Sequence, residues 1–83
     1  MRADDEAQVE AVVVAILDHL RTHPLAADSV DGVARWWLGP AQASATLQQV
    51  ERALERLVTR GVMRKLRLMD GTWLYSQALP QRQ

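Results

Sequence analysis

Residues 46–61 read TLQQVERALERLVTRG, and this stretch decides the fold that the sequence predicts. Its apolar residues recur at the spacing of an amphipathic helix, at Leu47, Val50, Leu54, Leu57 and Val58. Thr46, with Gln49 three residues later, matches the pattern of a capping box at a helix start. Gly61 follows the last apolar turn and can take the left-handed conformation that ends a helix. We therefore predict an amphipathic helix over 47–60.

The predicted outward face of this helix is polar and basic. It carries Gln48, Gln49, Arg52, Arg56 and Arg60. Arginines four residues apart repel each other by roughly 0.2–0.5 kcal/mol per pair unless an anion lies over them. Arginine and glutamine can each form two hydrogen bonds with a base edge, which favours nucleic acid as that anion. A solvent-exposed face explains the same pattern, with an Arg52–Glu55 pair that offsets part of the repulsion between the arginines.

Composition indicates one small globular domain of 83 residues, with 48% apolar and 24% charged residues. The absence of cysteine excludes disulfides, thiolate metal sites and a cysteine nucleophile. No glycine-rich phosphate loop, nucleophile elbow or zinc motif is present, so we expect neither enzymatic activity nor a cofactor. The acidic start and the lack of a long apolar run predict a cytoplasmic protein without membrane contact.

Charge is distributed unevenly along the chain, although the formal net charge is zero. Residues 1–34 carry seven acidic and two basic side chains, a net charge of −5. Residues 35–83 carry eight basic and three acidic side chains, a net charge of +5. A basic half hints at contact with nucleic acid, whereas overall neutrality is unusual for a DNA-binding domain.

A first helix is predicted over residues 5–22, ending before Pro24. Its core-facing stripe consists of Val9, Val12, Val13, Ile16, Leu17 and Leu20. Val14 lies on the opposite side, either as an isolated surface residue or as part of the interface with a second subunit. His19 and His23 are spaced like metal ligands, but we interpret them as cations near a helix end.

A second helix is predicted from Asp28 or Ser29 to about residues 39–40, after a short link that includes one extended segment. Trp37 shares its apolar face with Val30 and Val33 and should be buried. Trp36 points about 100° away. Two interpretations remain for Trp36: partial burial against the link or hairpin, or an exposed anchor for a binding partner.

After Gly61 the apolar period changes from about 3.6 to 2 residues, which predicts a β-hairpin over 62–77. Asp70-Gly71 matches a two-residue turn. The register then pairs Met69 with Thr72, Leu68 with Trp73, Arg67 with Leu74, Leu66 with Tyr75 and Lys65 with Ser76. One face holds Leu66, Leu68, Trp73 and Tyr75. The other holds Lys65, Arg67, Met69, Thr72, Leu74 and Ser76.

In its order of elements the chain resembles the winged helix-turn-helix family over about residues 25–79. The resemblance is carried by VERALERLVTRGVM at 50–63 and DGTWLY at 70–75. It implies a mainly α fold, with three helices and a small β-hairpin wing. The expected domain spans 5–79, between a frayed start at 1–4 and a disordered tail at 80–83. Glu51 and Glu55 depart from a DNA-binding helix, since carboxylates repel phosphates.

The first functional hypothesis is a small DNA-binding transcriptional regulator, dimeric, with double-stranded DNA as its partner. Helix 47–60 enters the major groove, and hairpin 62–77 acts as the wing. The residues closest to base edges are Gln48, Gln49 and Arg52. The residues expected to bind phosphates are Arg56, Arg60, Arg64, Lys65 and Arg67.

The second hypothesis is a protein-interaction winged helix that binds no DNA. Trp36 is its anchor, because tryptophan is enriched among binding hot spots. The arginines meet acidic residues of a protein partner. Apart from either hypothesis, Val14 is the residue expected at the interface if the first helix forms a homodimer. Fold resemblance alone does not distinguish these hypotheses.

Overall fold

The computed structural model describes residues 3–78 and shows a mainly helical chain with a small antiparallel sheet. In this range the helices are α1 (Ala3–Thr22), α2 (Val30–Gly32), a π-helical segment (Val33–Trp37), a 3₁₀ turn (Pro40–Gln42) and α3 (Leu47–Thr59). The strands are β1 (Ala27–Asp28), β2 (Met63–Arg67) and β3 (Trp73–Gln77). The sheet has strand order β1-β3-β2. None of the helices between residues 3 and 78 has the length and apolarity that crossing a bilayer requires. The expected tail at 80–83 lies outside the described residues.

Helix α1 begins at Ala3, two residues before the predicted start, and ends at Thr22 ahead of Pro24. Its apolar stripe packs into one core, whose members are Val9, Val12, Val13, Ile16, Leu20, Val33, Trp37, Val50, Ala53, Leu54, Leu57, Met63 and Tyr75. Leu17 was expected in this stripe but is exposed. Its side chain points about 100° around the helix from that of the buried Ile16, and so lies beyond the edge of the core.

The predicted second helix is a single α-helical turn that continues as a π-helical segment, Val33–Trp37. Ser29 caps its start, since its Oγ accepts a hydrogen bond from the Gly32 N–H at 3.1 Å. Trp37 is buried, and its ring stacks on His19 with 4.7 Å between centroids. Trp36 is 74% exposed, so the interpretation of partial burial is wrong.

Both predicted ends of α3 are confirmed by their hydrogen bonds. Thr46 Oγ1 accepts from the Gln49 N–H at 3.1 Å, and Gln49 Oε1 accepts from the Thr46 N–H at 2.9 Å. Gly61 has φ of 80°, in the left-handed region. Its N–H donates to Val58 O at 3.0 Å, and the Val62 N–H donates to Leu57 O at 2.9 Å. These two bonds form a Schellman motif, which satisfies the last carbonyls of the helix.

The predicted hairpin exists, but its register is shifted by one residue. The Gly71 N–H donates to Leu68 O at 2.9 Å, and the Leu68 N–H donates to Thr72 O at 2.7 Å. Gly71 has φ of 90°. The loop therefore contains three residues, a turn followed by a glycine bulge, instead of the expected two-residue turn. The observed pairs are Met63–Gln77, Arg64–Ser76, Lys65–Tyr75, Leu66–Leu74 and Arg67–Trp73.

This shift changes which side chains share a face of the sheet. Lys65 and Arg67 lie on the same face as Trp73 and Tyr75, so the predicted apolar and basic faces are both wrong. Leu66 pairs with Leu74 on the opposite face. The extended segment expected after α1 is β1, which adds Ala27–Ser76 and Asp28–Tyr75 pairs to the sheet.

Replacing Leu54 by alanine should lower the free energy of unfolding by about 2–5 kcal/mol, because this side chain is fully buried between the helices. Chemical denaturation followed by circular dichroism measures the change. Leu47→Ala, at a half-exposed position of the same helix, is the matched control and should cost much less. Equal losses in the two variants would contradict the location of the core.

Candidate functional site

An ion-pair network joins the start of α1 to the basic flank of α3. We call this set the acid–arginine network, and it consists of Asp5, Glu6, Glu10, Arg52, Arg56 and Arg60. Arg56 lies at its centre, with Nη1 2.7 Å from Glu6 Oε2 and also bonded to Glu10. Arg60 Nη2 lies 3.7 Å from the same Glu10 carboxylate. The guanidinium of Arg56 is therefore shared between two carboxylates of α1.

Side chains in the amino-terminal part of α3 also contact carboxylates of α1. Arg52 bonds Asp5 through Nη1 and lies 3.6 Å from Glu6 Oε1 through Nη2. Gln49 Nε2 donates to Asp5 Oδ1 at 2.9 Å, in addition to its capping bond. The expectation that these side chains form a solvent-facing stripe is wrong, because α1 packs along this flank of α3. The anion over the arginines is part of the chain itself.

The charges in the network alter one another's pKa values. The hydrogen bond from Arg56 holds the pKa of Glu6 below its usual value, with support from the charge of Arg52. The hydrogen bond from Gln49, followed by that from Arg52, lowers the pKa of Asp5. The two glutamates raise the pKa of Arg56. Each partner therefore favours the ionised form of the other.

Glu55 has a structural role on the other flank of α3. Its Oε2 accepts from Lys65 Nζ at 2.8 Å and from the Tyr75 hydroxyl at 2.7 Å. The bond from Lys65, followed by that from Tyr75, lowers the pKa of Glu55. Burial and the Glu55 carboxylate raise the pKa of Tyr75 well above its usual value. Glu55 thus links α3 to both strands of the hairpin, β2 through Lys65 and β3 through Tyr75.

The outward side of α3 between these flanks carries mixed charge. A shallow recess there is lined by Glu51, Arg52, Glu55, Arg56, Thr59 and Arg60. Gln48 is exposed near the start of the helix. Two carboxylates lie among three guanidinium groups here, so this surface is less basic than the polar, arginine-rich face that the sequence predicts. Coulombic attraction of this recess for a polyanion is correspondingly weak.

The hairpin combines cations with an aromatic ring. Lys65 Nζ lies 4.9 Å from the centroid of the Trp73 ring, and Arg67 Cζ lies 5.8 Å from it. Both distances fall in the range of cation–π contacts. Arg64 is exposed on the opposite face of the same strand. The predicted wing cations are therefore divided between two faces of the sheet.

A second candidate surface lies at the other side of α1. Val14 is 64% exposed and lines a groove of about 470 Å³. The facing wall of the groove contains Trp37, Leu38 and Gly39, the three residues that follow Trp36 along the chain. We call Trp36, Val14 and this groove the Trp36 surface. Val14 lines this groove, whereas Trp36 precedes the lining residue Trp37 in the chain and is not itself part of the lining.

Sequence reasoning did not identify Asp5, Glu6 and Glu10 as partners of the α3 arginines. The signal was present in the opposite net charges of the two halves of the chain. By itself that asymmetry predicts contact of the basic half with an external polyanion. In the structure, carboxylates of α1 neutralise arginines of α3 instead.

Comparison with known proteins gives no relative: no family model, no curated protein and no solved structure matches this chain. We therefore infer its function from the surfaces described above.

The free energy of unfolding should decrease as the pH falls below about 5, where the carboxylates begin to bind protons in the unfolded chain. The sign follows from the lowered pKa values of Asp5 and Glu6, since the folded chain resists the protonation that the unfolded chain accepts. Arg56→Met should make this decrease shallower, because it removes the central cation. Denaturant titrations at a series of pH values measure the effect.

The matched control is Arg35→Met, which removes an exposed arginine paired with Asp31 at 3.0 Å. This control should keep the pH dependence of the unaltered chain. If Arg56→Met and Arg35→Met gave identical profiles, the acid–arginine network would not contribute to folding stability.

Proposed function

We propose that this chain is a small, non-enzymatic protein-interaction domain of the winged-helix class. The observation that carries the proposal is the 74% exposure of Trp36, a large aromatic side chain that the fold leaves outside the core. The class is supported by three helices followed by a hairpin in a three-stranded sheet, together with the sequence resemblance. We place its action in the cytoplasm, as the sequence composition predicts.

Trp36 is suited to be the anchor of such an interaction. An indole side chain can bury about 150–250 Å², and its N–H can still donate a hydrogen bond at the edge of an interface. Tryptophans in this situation are common hot spots. The groove that includes the next residue, Trp37, offers an apolar wall from Val14 and Trp37 and polar groups from Asp18 and His19. We infer a partner that presents an apolar pocket to Trp36 and an apolar side chain to the groove.

The acid–arginine network favours this proposal over DNA binding. A phosphate that approached Arg52 or Arg56 would compete with carboxylates of α1 that already occupy the guanidinium groups. Phosphate contacts supply most of the affinity of non-specific DNA binding. Cations that are neutralised within the chain add little to that affinity, and the formal net charge of the chain is zero.

DNA binding is the second proposal, favoured by the exposure of Gln48, Arg64 and Arg67. In this alternative α3 enters the major groove, with Gln48, Gln49 and Arg52 near base edges. Arg56, Arg60, Arg64, Lys65 and Arg67 then contact phosphates, after the carboxylates of α1 are displaced. A homodimer through Val14 is compatible with either proposal.

Trp36→Ala should abolish capture of the protein partner in a pull-down and leave the fold intact, because the side chain is largely outside the core. We expect at least about a tenfold loss of affinity, as for a hot-spot residue. Leu25→Ala is the matched control, since Leu25 is also an exposed apolar residue. Equal capture by wild type and Trp36→Ala would refute the assignment of the anchor.

A salt titration with a labelled random duplex separates the two proposals. A protein-interaction domain should bind the duplex negligibly even at low salt, where phosphate attraction is strongest. If the chain is instead a DNA-binding regulator, Lys65→Ala should lower the salt slope by about one. Arg52→Ala should then cost about 1–3 kcal/mol on a preferred sequence. Tight, strongly salt-dependent binding by the unaltered chain would overturn the first proposal.

A further inference from the structure

Strand β2 leaves one edge of the sheet open. The strand order β1-β3-β2 gives β2 a neighbour on one side only. Hydrogen bonds at both ends of the hairpin show which backbone groups of β2 face β3. The Ala78 N–H donates to Val62 O at 2.9 Å, and the Leu68 N–H donates to Thr72 O at 2.7 Å. Bonded pairs alternate along an antiparallel ladder. The N–H and C=O groups of Lys65 and Arg67 therefore point away from β3.

The side chains along this edge have a defined pattern. Residues 64–67 are all exposed. Arg64, Lys65 and Arg67 are cationic, and Leu66 between them is 63% exposed. Leu66 and its cross-strand partner Leu74 border a groove of about 400 Å³ on the outer face. The edge thus offers backbone donors and acceptors, an apolar strip on one face and cations on both faces.

We propose that β2 is a docking edge for an extended segment of a partner protein, whose acidic and apolar side chains alternate. The segment adds a fourth strand and bonds the outward backbone groups of Lys65 and Arg67. Its side chains project alternately to the two faces. Its acidic side chains meet Arg67 and share Lys65 with Glu55, which accepts from Lys65 Nζ at 2.8 Å. Its apolar side chains cover Leu66 on the outer face.

The cations along β2 favour an acidic segment over a second copy of this chain as the added strand. A second copy of β2 paired with the first would bring Arg64, Lys65 and Arg67 against the same cations, and like charges on paired strands are destabilising. Edge cations prevent such self-pairing in many sheets. An acidic strand removes this repulsion and gains attraction from the same side chains. The docking edge shares no residue with the Trp36 surface, so this inference does not depend on the proposed function.

The test uses a synthetic blocked hexapeptide of alternating glutamate and valine, titrated into the ¹⁵N-labelled chain. Amide protons of Lys65 and Arg67 should become protected from solvent exchange on binding. A peptide of the same sequence, N-methylated at alternate residues on the pairing side, should bind at least about tenfold more weakly, because it lacks ladder donors. A lysine–valine peptide should not bind, since its charges repel the edge.

Two matched variants separate backbone pairing from charge. Arg67→Pro removes an outward N–H, which an edge strand tolerates, and should weaken binding about tenfold more than Arg67→Gln, which keeps the N–H. Trp36→Ala should leave peptide affinity unchanged. The inference is overturned if the peptide fails to bind, if the N-methylated peptide binds equally well, or if Trp36→Ala abolishes binding. The N-methylated peptide tests backbone pairing with the unaltered chain, even if Arg67→Pro does not fold.

Discussion

The packing of α1 against α3 is the contact on which the other features of the structure depend. The ion pairs advance together along the two helices, from Asp5–Arg52 to Glu10–Arg60, so the helices run in the same direction. Apolar burial along their facing stripes supplies most of the stability, since ion pairs at the surface add only a small part. The acid–arginine network instead aligns the two helices and neutralises the basic flank of α3. The packing of α1 against α3 therefore forms the core and also reduces the basic charge that α3 could offer to a nucleic acid.

The three-residue hairpin loop has a comparable influence on the sheet. One additional residue in the loop places Lys65 and Arg67 beside Trp73, where the ring contacts both cations. It also orients Lys65 toward Glu55, which links the hairpin to α3. Leu66 then lies on the outer face and stays exposed. A one-residue change in register thus decides which chemistry each face of the sheet presents.

Trp36 and Trp37 show how adjacent residues acquire opposite roles. Trp37 is buried and stacks on His19, while Trp36 projects into solvent at 74% exposure. The short second helix cannot bury two large rings, because only one side of it meets the core. A large exposed ring is costly to leave in water unless a partner covers it. The proposed interaction domain follows from this cost and from the internal neutralisation of the arginines.

Much of the fold was predictable from local sequence. The capping box at Thr46, the glycine end of α3 at Gly61 and the burial of Leu54 and Trp37 all follow from patterns within about 15 residues. The existence of the hairpin followed from the change of period, but its register did not. Asp70-Gly71 is compatible with both a two-residue turn and a three-residue loop, and local sequence does not choose between them.

The surroundings of Arg52 and Arg56 were decided by tertiary structure alone. The sequence placed the arginines on a polar face and the acids in another helix, but nothing local relates residue 5 to residue 52. Their pairing depends on the direction and angle at which two apolar stripes meet, and these are set by the whole core. The exposure of Trp36 depends likewise on which elements pack around the second helix. The sequence by itself determined which side chains carry charge or apolar surface, and the packing determined which of them remain open to a partner.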